Sequence, residues 1–89
     1  MEKVIYKYKL ENLPIQSIEM PSNFKVVHVG EQERFLTFWA EVDISSPKEF
    51  RTFYIVMTGG YVEPNWEYCG TVQMSFHGLV VHLYLLKNG

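Results

Sequence analysis

The sequence predicts a mainly β protein, a single small antiparallel sheet domain that is sandwich-like or barrel-like, with about six strands and at most one short helical turn. Two central segments, 35–42 and 51–57, alternate apolar side chains with period two and are rich in β-branched and aromatic residues, which is typical of strands. Turn-forming residues cluster between such segments. The 89 residues contain no repeat, so we expect one domain over 1–89.

Six strands are expected, at 3–10, 24–29, 35–42, 51–57, 68–74 and 79–86. The segment 11–23 contains Pro14 and Pro21 and is predicted to be a loop that crosses the core. A single helical turn over 64–68 is compatible with Pro64, because Pro is accepted at the first positions of a helix. Gly70 indicates a bulge within its strand.

The alternation also predicts which side chains form the core. They are Leu36, Phe38, Ala40, Val42, Phe53, Ile55, Met57, Leu79, Val81, Leu83 and Leu85. The opposite face is aromatic as well, with Phe35, Trp39, Tyr54 and Tyr84. A solvated antiparallel sheet has a polar outer face, so something must cover this second face. We expect a homo-oligomer, and the alternative is a second sheet within the same chain.

Composition limits the classes of partner. The formal net charge of −2 argues against a nucleic acid polymer, whose binding proteins are usually basic. One cysteine, Cys69, cannot form an internal disulfide. The longest apolar run, 79–86, is too short to span a bilayer, and the first residues do not read as a signal peptide. We therefore expect no membrane association and a cytosolic protein.

The segment Thr58-Gly59-Gly60 is the first candidate ligand site. Two glycines let a phosphate approach backbone N–H groups, which predicts a nest for a small anionic, nucleotide-like ligand. Arg51 or Lys48 would pair with its charge, since Arg binds phosphate bidentately. A stacking ring for the base would come from Trp66, Tyr61 or Trp39. The competing interpretation is a turn that requires positive φ at glycine.

No constellation of residues indicates catalysis. His28, His77 and His82 lack zinc-ligand spacing with each other or with Cys69, so we expect neither a metal nor a cofactor. His82 could act as a general base only with a partner within hydrogen-bonding reach. The sequence contains no nucleophile elbow and no phosphate-binding P-loop, so a non-enzymatic protein is favoured.

Seven segments that together extend over nearly the whole chain carry a resemblance. In order they read VIYKYKL, IEMP, FKVVHVGEQ, WAEVD, RTFYIVMTGG, YCGTVQ and LVVHLY. This order resembles a family of short proteins of uncharacterised function that bacteriophages and prophages encode. In similar proteins the glycine segment reads G-T-G-H, whereas here it is Met57-Thr58-Gly59-Gly60, without that His. The resemblance implies a phage accessory protein that acts in the host bacterial cytoplasm.

These observations lead to one functional expectation and two alternatives. We expect a non-enzymatic phage accessory protein that binds a host factor or sequesters a small nucleotide-like signal, with counter-defence as its role. The first alternative is a small phosphodiesterase-like enzyme that uses His82. The second is a structural virion or scaffold component.

Overall fold

The computed structural model describes residues 2–88 and confirms the mainly β, antiparallel fold. Within this range there are seven strands and no helix. The strands are β1 (Lys3–Lys9), β2 (Ile15–Pro21), β3 (Phe24–Gln32), β4 (Phe35–Asp43), β5 (Lys48–Met57), β6 (Trp66–Gln73) and β7 (Val80–Leu86). They form two sheets. Sheet A has the order β1-β4-β3, and sheet B has the order β2-β5-β7-β6.

The prediction of a loop over 11–23 was wrong, because residues Ile15–Pro21 form β2. This strand lies at the edge of sheet B and pairs only with β5. Pro21 is its last residue, and Pro14 precedes it and accepts a hydrogen bond from the Ile55 N–H through its carbonyl oxygen (2.9 Å). Proline is tolerated at the ends of edge strands, where its missing N–H is not required.

Other boundaries also differ from the prediction, and β5 begins three residues earlier, at Lys48. The strand expected at 24–29 continues through Gly30 to Gln32 and turns tightly at Glu33 and Arg34, which both have positive φ (53° and 72°). That is the backbone shape of a two-residue hairpin turn, here without glycine. No helical turn forms over 64–68, since Trp66 already begins β6. The Trp66 N–H donates to the Glu63 carbonyl (3.1 Å), which closes a single tight turn before the strand.

The core lies between the two sheets, largely as the alternation predicts. Phe38 of sheet A and Phe53 of sheet B are fully buried, and their ring centroids are 4.7 Å apart. Leu36, Ala40, Val42, Val81, Leu83 and Leu85 are also buried. The prediction for Met57 was wrong, because this side chain is 46% exposed at the end of β5. Ile55 and Leu79 are only partly buried.

Gly70 is required where β6 approaches β3 of the other sheet. The expected bulge is confirmed, since the register of β6 against β7 shifts between Tyr68 and Gly70. A Cβ atom at position 70 would lie 2.8 Å from Cγ2 and 2.9 Å from Cβ of Val29. These distances are shorter than van der Waals contact, so any other side chain would push the two sheets apart at this point.

We predict that Gly70→Ala destabilises the fold by about 1–3 kcal/mol, the usual range for overpacking. In a Val29→Ala background the same change should cost less, because the Cγ2 methyl group that it would strike is gone and only the contact with Cβ remains. Urea denaturation of the four proteins gives the coupling energy between the two positions. Equal costs in both backgrounds would contradict this close approach of β3 and β6.

Candidate functional site

The structure does not bring the seven predicted ligand residues together at one site. Thr58, Gly59 and Gly60 follow the end of β5, in the connection that leads to β6. Trp39 lies on the outer face of sheet A, 5.4 Å from the His28 ring, because its neighbours Phe38 and Ala40 face the core. Trp66 lies on the outer face of sheet B, on the other side of the molecule. Tyr61 is 93% exposed.

The two cations proposed for the anion are also remote from the glycine turn. Lys48 begins β5 and Thr58 follows its last residue, so about ten strand positions, roughly 33 Å, separate them. Arg51 points inward, where its Nη2 donates to the Leu86 carbonyl (3.2 Å) and its guanidinium lies over the Phe24 ring (5.0 Å). Nucleotide binding stays a prediction, but Arg51 and Trp39 do not share a surface with Thr58, whose hydroxyl contacts His82 on the outer face of sheet B.

The glycines at 59 and 60 satisfy the geometry of a turn. Gly59 has a φ of 92°, which disfavours other residues. A Cβ at Gly60 would lie 2.7 Å from Cγ1 of Val56, and the Gly60 N–H donates to the Met57 carbonyl (2.8 Å). The competing interpretation from the sequence, a turn, therefore accounts for both glycines.

The aromatic residues expected on one second face divide between the two outer faces of the molecule. On sheet A, long lysine side chains from β1 cover β4. Lys9 Nζ lies 4.3 Å from the centre of the Phe35 ring, Lys7 donates to Gln32 (2.7 Å), and Lys3 pairs with Glu41 (3.5 Å). Thr37, which also faces outward on β4, is only 1% exposed as a result. The lysines thus cover much of β4 on the outer face of sheet A, whereas Ile5 of β1 stays 55% exposed there.

The outer face of sheet B carries an aromatic cluster over which no strand of residues 2–88 packs; one of its side chains is exposed and three are half-buried. It consists of Tyr54, Trp66, Tyr68 and Tyr84, and we call it the aromatic face. Trp66 on β6 reaches across β7 and stacks on Tyr54 of β5, with centroids 3.8 Å apart and planes at 16°. Tyr84 of β7 contacts Trp66 (6.2 Å) and Tyr68 (5.5 Å). The cluster therefore extends over three adjacent strands.

His82 lies beside the aromatic face and is held by two threonines. Its Nδ1 is 2.9 Å from Thr71 Oγ1 and its Nε2 is 3.1 Å from Thr58 Oγ1. Thr71 Oγ1 in turn lies 2.6 Å from the Tyr68 hydroxyl. Both ring nitrogens are thus engaged by hydroxyl groups, and neither partner is a carboxylate that could orient a general base. The arrangement links β6, β7 and the turn after β5.

A cleft of about 380 Å³ opens between the two sheets at one end of the molecule, and we call it the end cleft. The β1–β2 loop, residues 12–14, forms one wall, and the β6–β7 loop forms the other with Met74, Phe76 and Leu79. Strand residues complete the lining, and nine of its ten residues are apolar. Sequence reasoning missed this cleft, because its walls come from five segments that only the fold brings together.

Glu31 of β3 fastens the β6–β7 loop. Its carboxylate accepts hydrogen bonds from the Ser75 N–H (2.6 Å) and the Ser75 hydroxyl (2.5 Å). These bonds, with a smaller contribution from Arg34, lower the pKa of Glu31 below its ordinary value of 4.5. The ionised carboxylate therefore holds the loop that carries Met74 and Phe76.

A second, more polar cleft of about 270 Å³ involves Arg51, Lys25, Glu67, Tyr68 and Cys69. Burial, with a smaller effect of the Glu67 charge, raises the pKa of the Cys69 thiol to about 12. The thiol therefore stays protonated and unreactive at neutral pH. Within residues 2–88, no group of three His, Cys, Asp or Glu side chains could hold a metal ion, and no helix is long and apolar enough to cross a membrane.

The Glu31–Ser75 bonds predict a specific acid dependence. When folding lowers the pKa of a carboxyl, the ionised group stabilises the protein at every pH above the pKa that it has in the unfolded chain. This stabilisation is lost as the pH falls through the lowered pKa of the folded state. We expect Glu31→Gln to lower the free energy of unfolding at pH 7, and the difference from wild type to shrink below pH 4.5. Urea denaturation between pH 7 and pH 3 measures it.

The matched control for this series is Glu33→Gln, at the exposed tip of the hairpin that follows Glu31. Asp43, whose pKa is also lowered, by bonds from Ser45, is present in every variant and cancels. A difference between wild type and Glu31→Gln that stays constant over the whole pH range would show that the carboxylate charge does not hold the loop.

Comparison with known proteins places the chain in a family without assigning it an activity. No curated protein and no solved structure matches the sequence. One family matches residues 1–89, the whole chain, and its description is a domain of unknown function, DUF7352. The match covers every strand and both clefts described above. The chain therefore belongs to the DUF7352 family.

Proposed function

We propose that this is a non-enzymatic binding protein, and that the aromatic face of sheet B is its protein-contact surface. The observation that carries the proposal is the stack of Tyr54, Trp66, Tyr84 and Tyr68 on a sheet face that faces solvent. Aromatic residues are enriched at the centres of protein interfaces, where each buries a large area. Contiguous exposed apolar patches on a small protein usually mark a site of association.

The two outer faces of the molecule differ in a way that supports this choice. Sheet A exposes Ile5 (55%) beside the lysines of β1, whereas sheet B leaves more large apolar side chains in water. Ile15 is 59% exposed, Phe50 69% and Tyr68 56%, and all three lie on the outer face of sheet B. Burying such surface stabilises an association by roughly 25 cal/mol per Å² before the costs of binding.

The first partner that we propose is a second copy of the chain. Most outward positions of the two central strands of sheet B carry no charge: Phe50, Thr52, Tyr54, Val56, Val80, His82, Tyr84 and Leu86, with His82 counted as neutral. Lys48, at the start of β5, is the charged exception, so two copies can stack face to face around a twofold axis near Tyr84 without opposing like charges at its centre. Face-to-face sheets lie about 10 Å apart, which leaves room for one interdigitated layer of aromatic side chains.

Sedimentation velocity at micromolar concentration tests this proposal. We expect wild type to sediment at about 21 kDa, twice the 10.5 kDa of one chain. Tyr84→Lys should give a monomer with an unchanged circular dichroism spectrum, because it places a charge at the centre of the aromatic face. Phe50→Lys, at an exposed position of the same face, should weaken association without threatening the fold.

Trp39→Lys, on the outer face of sheet A, is the matched control and should leave the dimer intact. A wild-type protein that sediments as a 10.5 kDa monomer would refute the proposal. If Trp39→Lys dissociates the dimer as strongly as Tyr84→Lys does, the interface is not confined to the outer face of sheet B, which would contradict the proposal.

The resemblance to phage-encoded proteins extends the proposal to a role. In that setting the protein would act in the host bacterial cytoplasm as a counter-defence factor that binds a host protein or sequesters a nucleotide-like signal. A rise in melting temperature with cyclic or linear nucleotides would favour sequestration, because a ligand that binds only the folded state stabilises it.

Hydrolysis of such a nucleotide, abolished in His82→Ala, would instead favour the phosphodiesterase alternative. Abundance in purified phage particles would favour a virion component.

A further inference from the structure

We propose that the end cleft binds a compact apolar group, either a ring system or a short acyl chain, whose polar end stays in water. This site is distinct from the aromatic face, since it lies between the two sheets and not on the outer face of sheet B. Its walls are the β1–β2 and β6–β7 loops, and its floor is the end of the protein core.

The size of the cleft suits a small molecule. Its volume is about 380 Å³, which falls within the usual range of ligand pockets, roughly 300–1,000 Å³. An apolar cavity of about 150 Å³ is enough to bind benzene. The end cleft therefore has room for two fused rings or for a chain of about ten carbon atoms.

The lining selects against charged ligands. Asn12 is its one polar residue, and no charged side chain contributes. A phosphate or a nucleotide would lose its hydration there without gaining a cation, which is unfavourable. The Asn12 amide, which is exposed in the β1–β2 loop, can give one hydrogen bond to a polar group at the mouth. The expected ligand is therefore apolar along its length, with any polar group at one end.

The depth of the cleft favours a small molecule over a protein surface. Its floor includes Leu36, Met74 and Val81, which are 3%, 4% and 7% exposed. Its rim includes Leu13 and Met57, which remain 54% and 46% exposed. A ligand that enters between the loops would cover both the floor and the rim. The two methionines at the cleft can also adapt to its shape, because their side chains are unbranched and flexible.

The Glu31–Ser75 bonds give the wall a fixed position. Ser75 lies between Met74 and Phe76, so the carboxylate of Glu31 sets how far the β6–β7 loop stands from the opposite wall. A pocket that is formed before its ligand arrives loses less conformational entropy on binding. The polar clamp is outside the cleft lining, so it positions the wall without adding charge to the site.

Methionine methyl NMR tests the proposal on the intact chain. The sequence has four methionines, of which Met57 and Met74 line the cleft, whereas Met20 is buried away from it. With ¹³C-methyl methionine, titration with indole and, separately, with decanoate should shift the Met57 and Met74 signals saturably and leave Met20 in place. The two arms distinguish a ring from an acyl chain. Adenosine monophosphate is the charged control and should shift neither signal.

Leu79→Trp should fill the cleft and weaken binding at least tenfold. If this variant does not fold, Leu13→Trp at the exposed rim provides the same test, and Ile44→Trp, in the exposed β4–β5 loop outside the cleft, is the matched control. Binding that is unchanged by the cleft variants, or no shift of Met57 and Met74 up to millimolar ligand, would overturn the proposal. If the Met57 and Met74 signals change with protein concentration in the absence of ligand, the cleft instead contacts a second copy of the chain, which would also overturn the proposal.

Discussion

The contact between Phe38 and Phe53 is the interaction on which the rest of this structure depends. Each ring is the central core residue of its own sheet, and the two meet with centroids 4.7 Å apart and no exposure to solvent. Tyr8 stacks on Phe38 from the same side of sheet A (5.1 Å), which extends the cluster to β1. A chain of 89 residues can bury only a small apolar core, so the two sheets must pack closely around these rings for the fold to be stable.

Closing the sheets over this core decides what remains outside. Every strand of sheet B turns one set of side chains inward, so Tyr54, Trp66 and Tyr84 are left on the outer face. On sheet A the lysines of β1 take this position, with Lys9 Nζ over the Phe35 ring and Lys7 hydrogen-bonded to Gln32. At one end, the loops diverge around Met74 and Met57 and leave the end cleft. The aromatic face and the cleft are thus both consequences of how the core is formed.

Much of this could be predicted from the sequence, because period two fixes which side chains share a face of a strand. The core positions Leu36, Phe38 and Phe53 follow from that rule alone. The rule does not say which strands share a sheet, so Trp39 and Tyr54 were expected together although they lie on opposite outer faces. Edge strand β2 was missed because its prolines read as loop residues, and their position at the strand ends is visible only in the fold.

The candidate sites were less predictable for the same reason. The glycine turn was visible in the sequence, but strand direction carries Arg51 and Lys48 away from it, and Arg51 points into the interior. The aromatic face combines residues from β5, β6 and β7, whose spatial order differs from their order in the chain. The end cleft depends on two loops about sixty residues apart in the sequence. No local sequence motif predicts a site whose residues come from segments so far apart in the chain.

A double-mutant cycle on Phe38 and Phe53 tests the account most directly. Phe38→Leu, Phe53→Leu and the double variant are compared with wild type by urea denaturation, which gives the interaction energy between the two rings. The account predicts a favourable coupling of about 1 kcal/mol, the typical worth of an aromatic pair beyond its buried area. A coupling within about 0.3 kcal/mol of zero, the range expected for independent sites, would contradict it.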